Sequence, residues 1–141
     1  MIVTPDLKNE ISKKNPYWIS KHRYLQLVHY CLQYNEWKDQ LNSFSALSAV
    51  SLDGMPRGNG TSRSLEDTAL RMASLDAKIK RVERAANEAD PILAPYLLKA
   101  VTRTGINYDY LRQVMRIPCG RRQYYNLRRR FFWILNREVG E

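Results

Sequence analysis

Long apolar runs are missing from this chain of 141 residues. None approaches the roughly 20 consecutive apolar residues that a bilayer span requires, so no membrane role is expected. The opening MIVTPDLKNE lacks the basic-then-apolar plan of a secretion signal, which points to a cytoplasmic protein. Cysteine is scarce: Cys31 and Cys119 cannot form a disulfide framework, and in a reducing compartment both are expected as thiols. Histidine is as scarce. His22 and His29 lie seven apart and miss the HxxxH spacing that chelates one ion, and no fourth ligand accompanies them and Cys31. The expectation is no metal, with these side chains packed among aromatics. No Walker loop, nucleophile elbow or carboxylate pair at useful spacing occurs either, so neither an enzyme nor a cofactor is expected.

Acidic residues are the most telling shortage. The net charge is +9, and its distribution is uneven. Residues 1–98 carry 13 Lys and Arg against 11 Asp and Glu, whereas residues 99–141 carry 10 against 3. Nine of those 10 are arginines, whose planar fork suits phosphate and guanine better than the point charge of lysine. A localised cationic surplus of this kind calls for a polyanionic partner.

What is present is helical patterning around an all-α architecture. Ser20 can cap a helix over about Lys21–Gln33, with a broad stripe of Tyr24, Leu25, Leu27, Val28, Cys31 and Leu32. A second helix starts near Asn35 and places Trp37, Leu41 and Phe44 on one face, making residues 1–50 an aromatic-rich helical hairpin behind a frayed start. The stretch 51–64, SLDGMPRGNGTSRS, reads as a flexible linker. From Ser64, a candidate cap, a long helix carries Leu65, Thr68, Met72, Leu75, Ile79, Val82, Ala86 and Ala89 at alternating 3 and 4 spacing. That seam fits either packing within the chain or a dimer coiled coil. Asp90-Pro91 ends it and caps a further helix to about Arg103, closed by Gly105. Residues 65–141 are thus a long helix followed by the basic C-terminal unit.

In that unit Asn107 caps a short segment with apolar Leu111, Val114 and Met115, which Pro118 must stop near Arg116. Cys119-Gly120 opens a second helix whose core face is Tyr124, Leu127, Phe131, Ile134 and Leu135. Two helices joined by a tight turn, the second rich in arginine, have the plan of a helix-turn-helix DNA reader. Such helices meet base edges through their N-terminal part, which selects Arg121, Arg122, Tyr125 and Asn126. Arg112, Arg116, Arg128, Arg129 and Arg130 are then expected on the DNA backbone.

Two stretches, NPYWISKHRYLQLVHYCLQYNEWK and RIPCGRRQYYNLRRRFFWIL, together resemble the ArpU/RinA-type late-gene transcription regulators of phages and prophages. The front resembles the opening of a set of phage late-activator proteins, and the back is similar to the helix-turn-helix of sigma-factor region 4. They cover about a third of the chain. The resemblance implies a sequence-specific activator of phage structural or packaging genes in the cytoplasm of a host bacterium. Double-stranded DNA is its first partner, RNA polymerase a second, and a homodimer on paired half-sites its working form. Arg112 departs from the small residue that many such units carry there. Two alternatives belong to other classes: a packaging protein such as a small terminase subunit, which would form a large ring, or a helical interaction module whose basic face binds an acidic protein such as RNA polymerase and which has no affinity for nucleic acid.

Overall fold

The computed structural model describes residues 14–51 and 61–140, with side chains described for 14–46 and 64–140. The described residues form six α-helices and no strand: α1 (Lys21–Leu32), α2 (Tyr34–Ser51), α3 (Thr61–Ala89), α4 (Ala94–Val101), α5 (Tyr108–Gln113) and α6 (Arg121–Val139). They belong to two compact units. One comprises the chain up to Gln33 together with Arg81 onward, and the other is Tyr34–Lys80.

The first unit is built around α6. Its inner face buries Tyr124, Leu127, Phe131, Phe132, Ile134 and Leu135. The helix α1 buries Tyr24, Leu27, Val28 and Cys31 and packs against α6 and α4. Tyr24 meets Phe132 edge-on with ring centroids 5.1 Å apart, and Tyr17 meets Trp133 at 5.6 Å. An edge-to-face pair such as Tyr24–Phe132 adds about 0.5–1.5 kcal/mol beyond the area it buries. Arg23 ties α1 to the end of α6, donating from Nε to Asn136 Oδ1 at 2.6 Å and from Nη2 to the Gly140 carbonyl. A guanidinium there satisfies a terminal carbonyl and opposes the negative end of the helix dipole. Arg137 lies over the Trp133 ring at 4.4 Å and pairs with Glu88 at 3.1 Å.

In the second unit Tyr34, Trp37, Leu75 and Ile79 are buried, and Lys78 Nζ sits 5.7 Å from the centre of the Trp37 ring. Leu41 and Phe44 are half-buried. The spacing on α2 therefore identifies its inward face, with Trp37 as the most enclosed member.

Burial along α3 resolves the seam. Leu65 is 47% exposed, Thr68 and Met72 are half-buried, and Leu75, Ile79, Val82 and Ala86 are buried. The half from Leu75 onward is thus covered by this chain itself, and Ala85 joins it.

Several boundaries differ from expectation. The proposed front domain, 1–50, is divided at Gln33, because the apolar stripe of α1 is satisfied by α4 and α6. Within the linker expected at 51–64, residues 52–60 lie outside the described residues, as does the frayed start at 1–13. Residues 61–64 are helical, since no breaker follows Gly60, so Ser64 is an interior position rather than a cap. Ser20 occupies the cap position of α1, yet its side chain makes no capping bond. Asp90 does not cap α4, whose cap position is Leu93 with no side-chain capping bond; Asp90 Oδ1 instead accepts from the backbone N–H of Ile92 at 2.9 Å and of Leu93 at 3.1 Å. These bonds hold a turn, and α4 begins after it with Pro95 near its start. Thr102 ends α4, and Gly105 takes φ +79°, which a side chain would resist. His22 and His29 are exposed, so only Cys31 of that trio is packed inside.

Candidate nucleic-acid interface

The C-terminal unit begins at Asn107, whose Oδ1 accepts from the Tyr110 backbone N–H at 3.0 Å, as its residue type predicts. Helix α5 stops at Gln113, three residues short of the expected end. The reason lies in the turn. Ile117 is buried and its N–H donates to the Leu111 carbonyl at 3.0 Å, which draws the chain back under α5. Reaching that bond puts Arg116 at φ +57°, the left-handed region. For a residue other than glycine this costs about 1–2 kcal/mol. Val114, expected on the core face, is instead 60% exposed, and Met115 is half-buried. Helix, turn and helix therefore occur in the expected order, but residues 114–120 replace the tight turn.

A tyrosine holds this turn in place. Tyr108 is buried, donates its hydroxyl proton to the Cys119 carbonyl at 2.6 Å and meets the Tyr124 ring at 5.8 Å. Gly120 then takes the N-cap position of α6 with no side-chain capping bond, and the Tyr124 N–H donates to its carbonyl at 3.0 Å. Cys119 is half-buried; burial pushes its thiol up, and the Asp90 carboxylate adds to the shift. Cys31 is pushed up further by complete burial, against the pull of the Arg128 guanidinium, so it stays protonated.

The arginines fall into three groups. Arg112, Arg116, Arg122 and Arg130 are exposed and have no hydrogen bond or ion pair among the described residues. The exposure of Arg112 explains how a long side chain occupies that position: it points away from the packed face of α5. Arg121 and Arg129 are engaged at the surface. Arg121 Nη2 lies 2.7 Å from Asp109 Oδ1, and its guanidinium carbon is 5.1 Å from the centre of the Tyr108 ring. Arg129 donates to Asn126 Oδ1, taking one lone pair that a bidentate contact to adenine would use. Arg122, Asn126 and Arg129, spaced 4 and 3, share one side of the helix.

Arg128 forms the third group and corrects an expectation. The residue type and the basic run place it on the DNA backbone, but it is 9% exposed. Its Nη2 reaches Tyr24 Oη at 3.5 Å, and its guanidinium carbon lies 5.1 Å from the centre of the Phe132 ring. Position 128 falls in the row Tyr124, Arg128, Phe132, four residues apart, whose two aromatic members are buried. Tyr125, a candidate base reader, is half-buried and edge-on to Tyr124 at 4.9 Å. Sequence reasoning missed Asp109 and Tyr108 as members of this site, because their link to Arg121 crosses a turn and leaves no periodic trace.

No helix among the described residues is long and apolar enough to cross a membrane, and no cluster of metal-ligating side chains occurs among them. Neither a family model, nor a curated protein, nor a solved structure matches the chain.

Proposed function

We propose that the protein is a sequence-specific, double-stranded-DNA-binding transcription regulator that engages DNA through the outer side of α6 and the turn before it. The observation that carries this reading is the division of α6. Its inner face is apolar and buried, whereas Arg122 and Arg130, with Arg112 and Arg116 nearby in sequence, stand exposed and uncompensated. Uncompensated cations lower stability through mutual repulsion unless a polyanion offsets them. Arg116 supports the same reading: a position that favours glycine carries an arginine instead, and strained residues of this kind gather at functional sites.

In this reading Arg121 and Arg122 enter the major groove from the start of α6, with Asn126 behind them, while Arg112, Arg116, Arg129 and Arg130 meet phosphates. Two copies on paired half-sites, about 34–36 Å apart, would supply the affinity that one unit lacks. The resemblance to phage late-gene regulators makes activation of phage or prophage genes the specific role, with RNA polymerase as the protein partner. Selection of bound fragments from a random or genomic DNA pool tests the proposal. Enrichment of one motif is the expected result. Failure to retain any DNA at about 150 mM salt would contradict it and favour a protein-interaction module.

A further inference from the structure

The contacts around Arg121 carry the DNA-binding reading a step further. An arginine that reads guanine must present two parallel N–H groups to O6 and N7, so its selectivity depends on how well the guanidinium plane is fixed. A solvent-exposed arginine has several free rotamers and loses that freedom on binding. Arg121 is instead held from two directions within its own unit. Asp109, in the first turn of α5, takes Nη2 at 2.7 Å, and the guanidinium lies over the Tyr108 ring. Tyr108 is itself fixed by burial and by its bond to the Cys119 carbonyl. The cradle is therefore anchored in the core on one side and open on the other, since Arg121 and Asp109 side chains are 57% and 60% exposed.

As a device for stability this pair has little weight, because exposed ion pairs contribute about 0–1 kcal/mol. It also sets a carboxylate on the surface proposed to meet a polyanion, where its charge opposes binding in general. A group that weakens non-specific attraction while fixing a base-reading side chain raises the ratio of specific to non-specific affinity. Asp109 is the only acidic residue between Asp90 and Glu138. We infer that Asp109 is a specificity-determining positioning residue: with the Tyr108 ring it orients Arg121 for a guanine at one fixed position of the site.

This inference rests on the DNA-binding reading, and one experiment separates their fates. The full-length protein and its Asp109→Asn, Asp109→Glu and Arg121→Ala variants are each titrated against the motif selected by the wild type. The same set is titrated against that motif with each guanine replaced in turn, and against random duplex. Circular dichroism melts run alongside. Asp109→Asn is expected to bind random DNA more tightly and to lose about tenfold of its preference at one guanine, with an unchanged melt. That guanine is the one whose replacement Arg121→Ala no longer senses. Asp109→Glu should recover part of the preference. If Asp109→Asn raises affinity for all sequences equally, the residue is a repulsive charge and the inference is overturned. A lowered melting temperature with intact preference overturns it in favour of a structural ion pair. Absence of any selected motif for the wild type would instead remove the DNA-binding reading itself.

Discussion

Helices α3 and α6 are both long and amphipathic, and each carries six basic residues, yet they treat their charge differently. On α3 five acidic residues are interspersed, as in the Asp76–Lys80 pair at 3.0 Å, so the outer surface is close to neutral. On α6 the only acidic residue is Glu138, and compensation comes from elsewhere in the chain, from Asp109 for Arg121 and from Glu88 for Arg137. Balanced charge is what a solvated scaffold helix requires. On α6, by contrast, Arg122 and Arg130 are exposed with no ion pair among the described residues. The two helices also differ inside: the seam of α3 is open at Leu65 and closed from Leu75, while the inner face of α6 is buried from Tyr124 to Leu135.

The sharpest way to break this comparison is within α3. Leu75→Lys places an unpaired charge in a buried position and is expected to cost on the order of 3 kcal/mol or more, with loss of helicity. Leu65→Lys, at the exposed end of the seam, should stay within about 0.5 kcal/mol of the wild type. Sedimentation and circular dichroism read both variants. A Leu75→Lys protein that remains folded but falls to a smaller assembly would show that the seam joins two chains.

The next contrast is between two arginines of α6. Arg128→Ala should act as a core substitution, lowering stability by about 1–3 kcal/mol by removing a buried polar partner of Tyr24. Arg122→Ala should leave the melt unchanged and cost about 1–3 kcal/mol at a selected site. Equal loss on random and selected DNA would make Arg122 a phosphate contact. A smaller effect than that of Arg128→Ala is expected at the turn. Arg116→Gly relieves the left-handed strain and should raise stability by about 0.5–1 kcal/mol, while weakening DNA binding through the lost charge. A gain in both would detach Arg116 from the interface.

How much of this was legible depended on the range of the interaction. Helical spacing alone marks Tyr124, Leu127, Phe131, Ile134 and Leu135 as the inner face of α6, and all five are buried. Asn107 reads as a cap because its side chain acts three residues away. Phe132 and Arg128 were readable in principle. Phe132 widens the buried arc, and Arg128 sits four residues before it, but its charge, taken alone, places Arg128 on the DNA backbone. The turn at 114–120 was not readable, since its length follows from burial of Ile117 and the Tyr108–Cys119 bond, both tertiary. The same holds for the division between α1 and α2: the stripe on α1 shows that it must be covered, but not by which helices. Asp109 lies twelve positions before Arg121 and on another helix, out of reach of any local pattern.

In the proposed reading, the exposed arginines of the C-terminal unit bind nucleic-acid phosphate and bases. The most direct test is the slope of log affinity against log salt for duplex DNA. It is measured for the wild type and for a variant with Arg112, Arg116, Arg122 and Arg130 all replaced by alanine. These side chains are exposed, so the variant is expected to fold and melt as the wild type does. Each phosphate contact contributes about 0.9 to the slope, so its magnitude should fall by about three to four units if all four meet phosphates, and by less if Arg122 reads a base. An unchanged slope in a folded variant, or a wild type that shows no salt-dependent binding, would contradict the account.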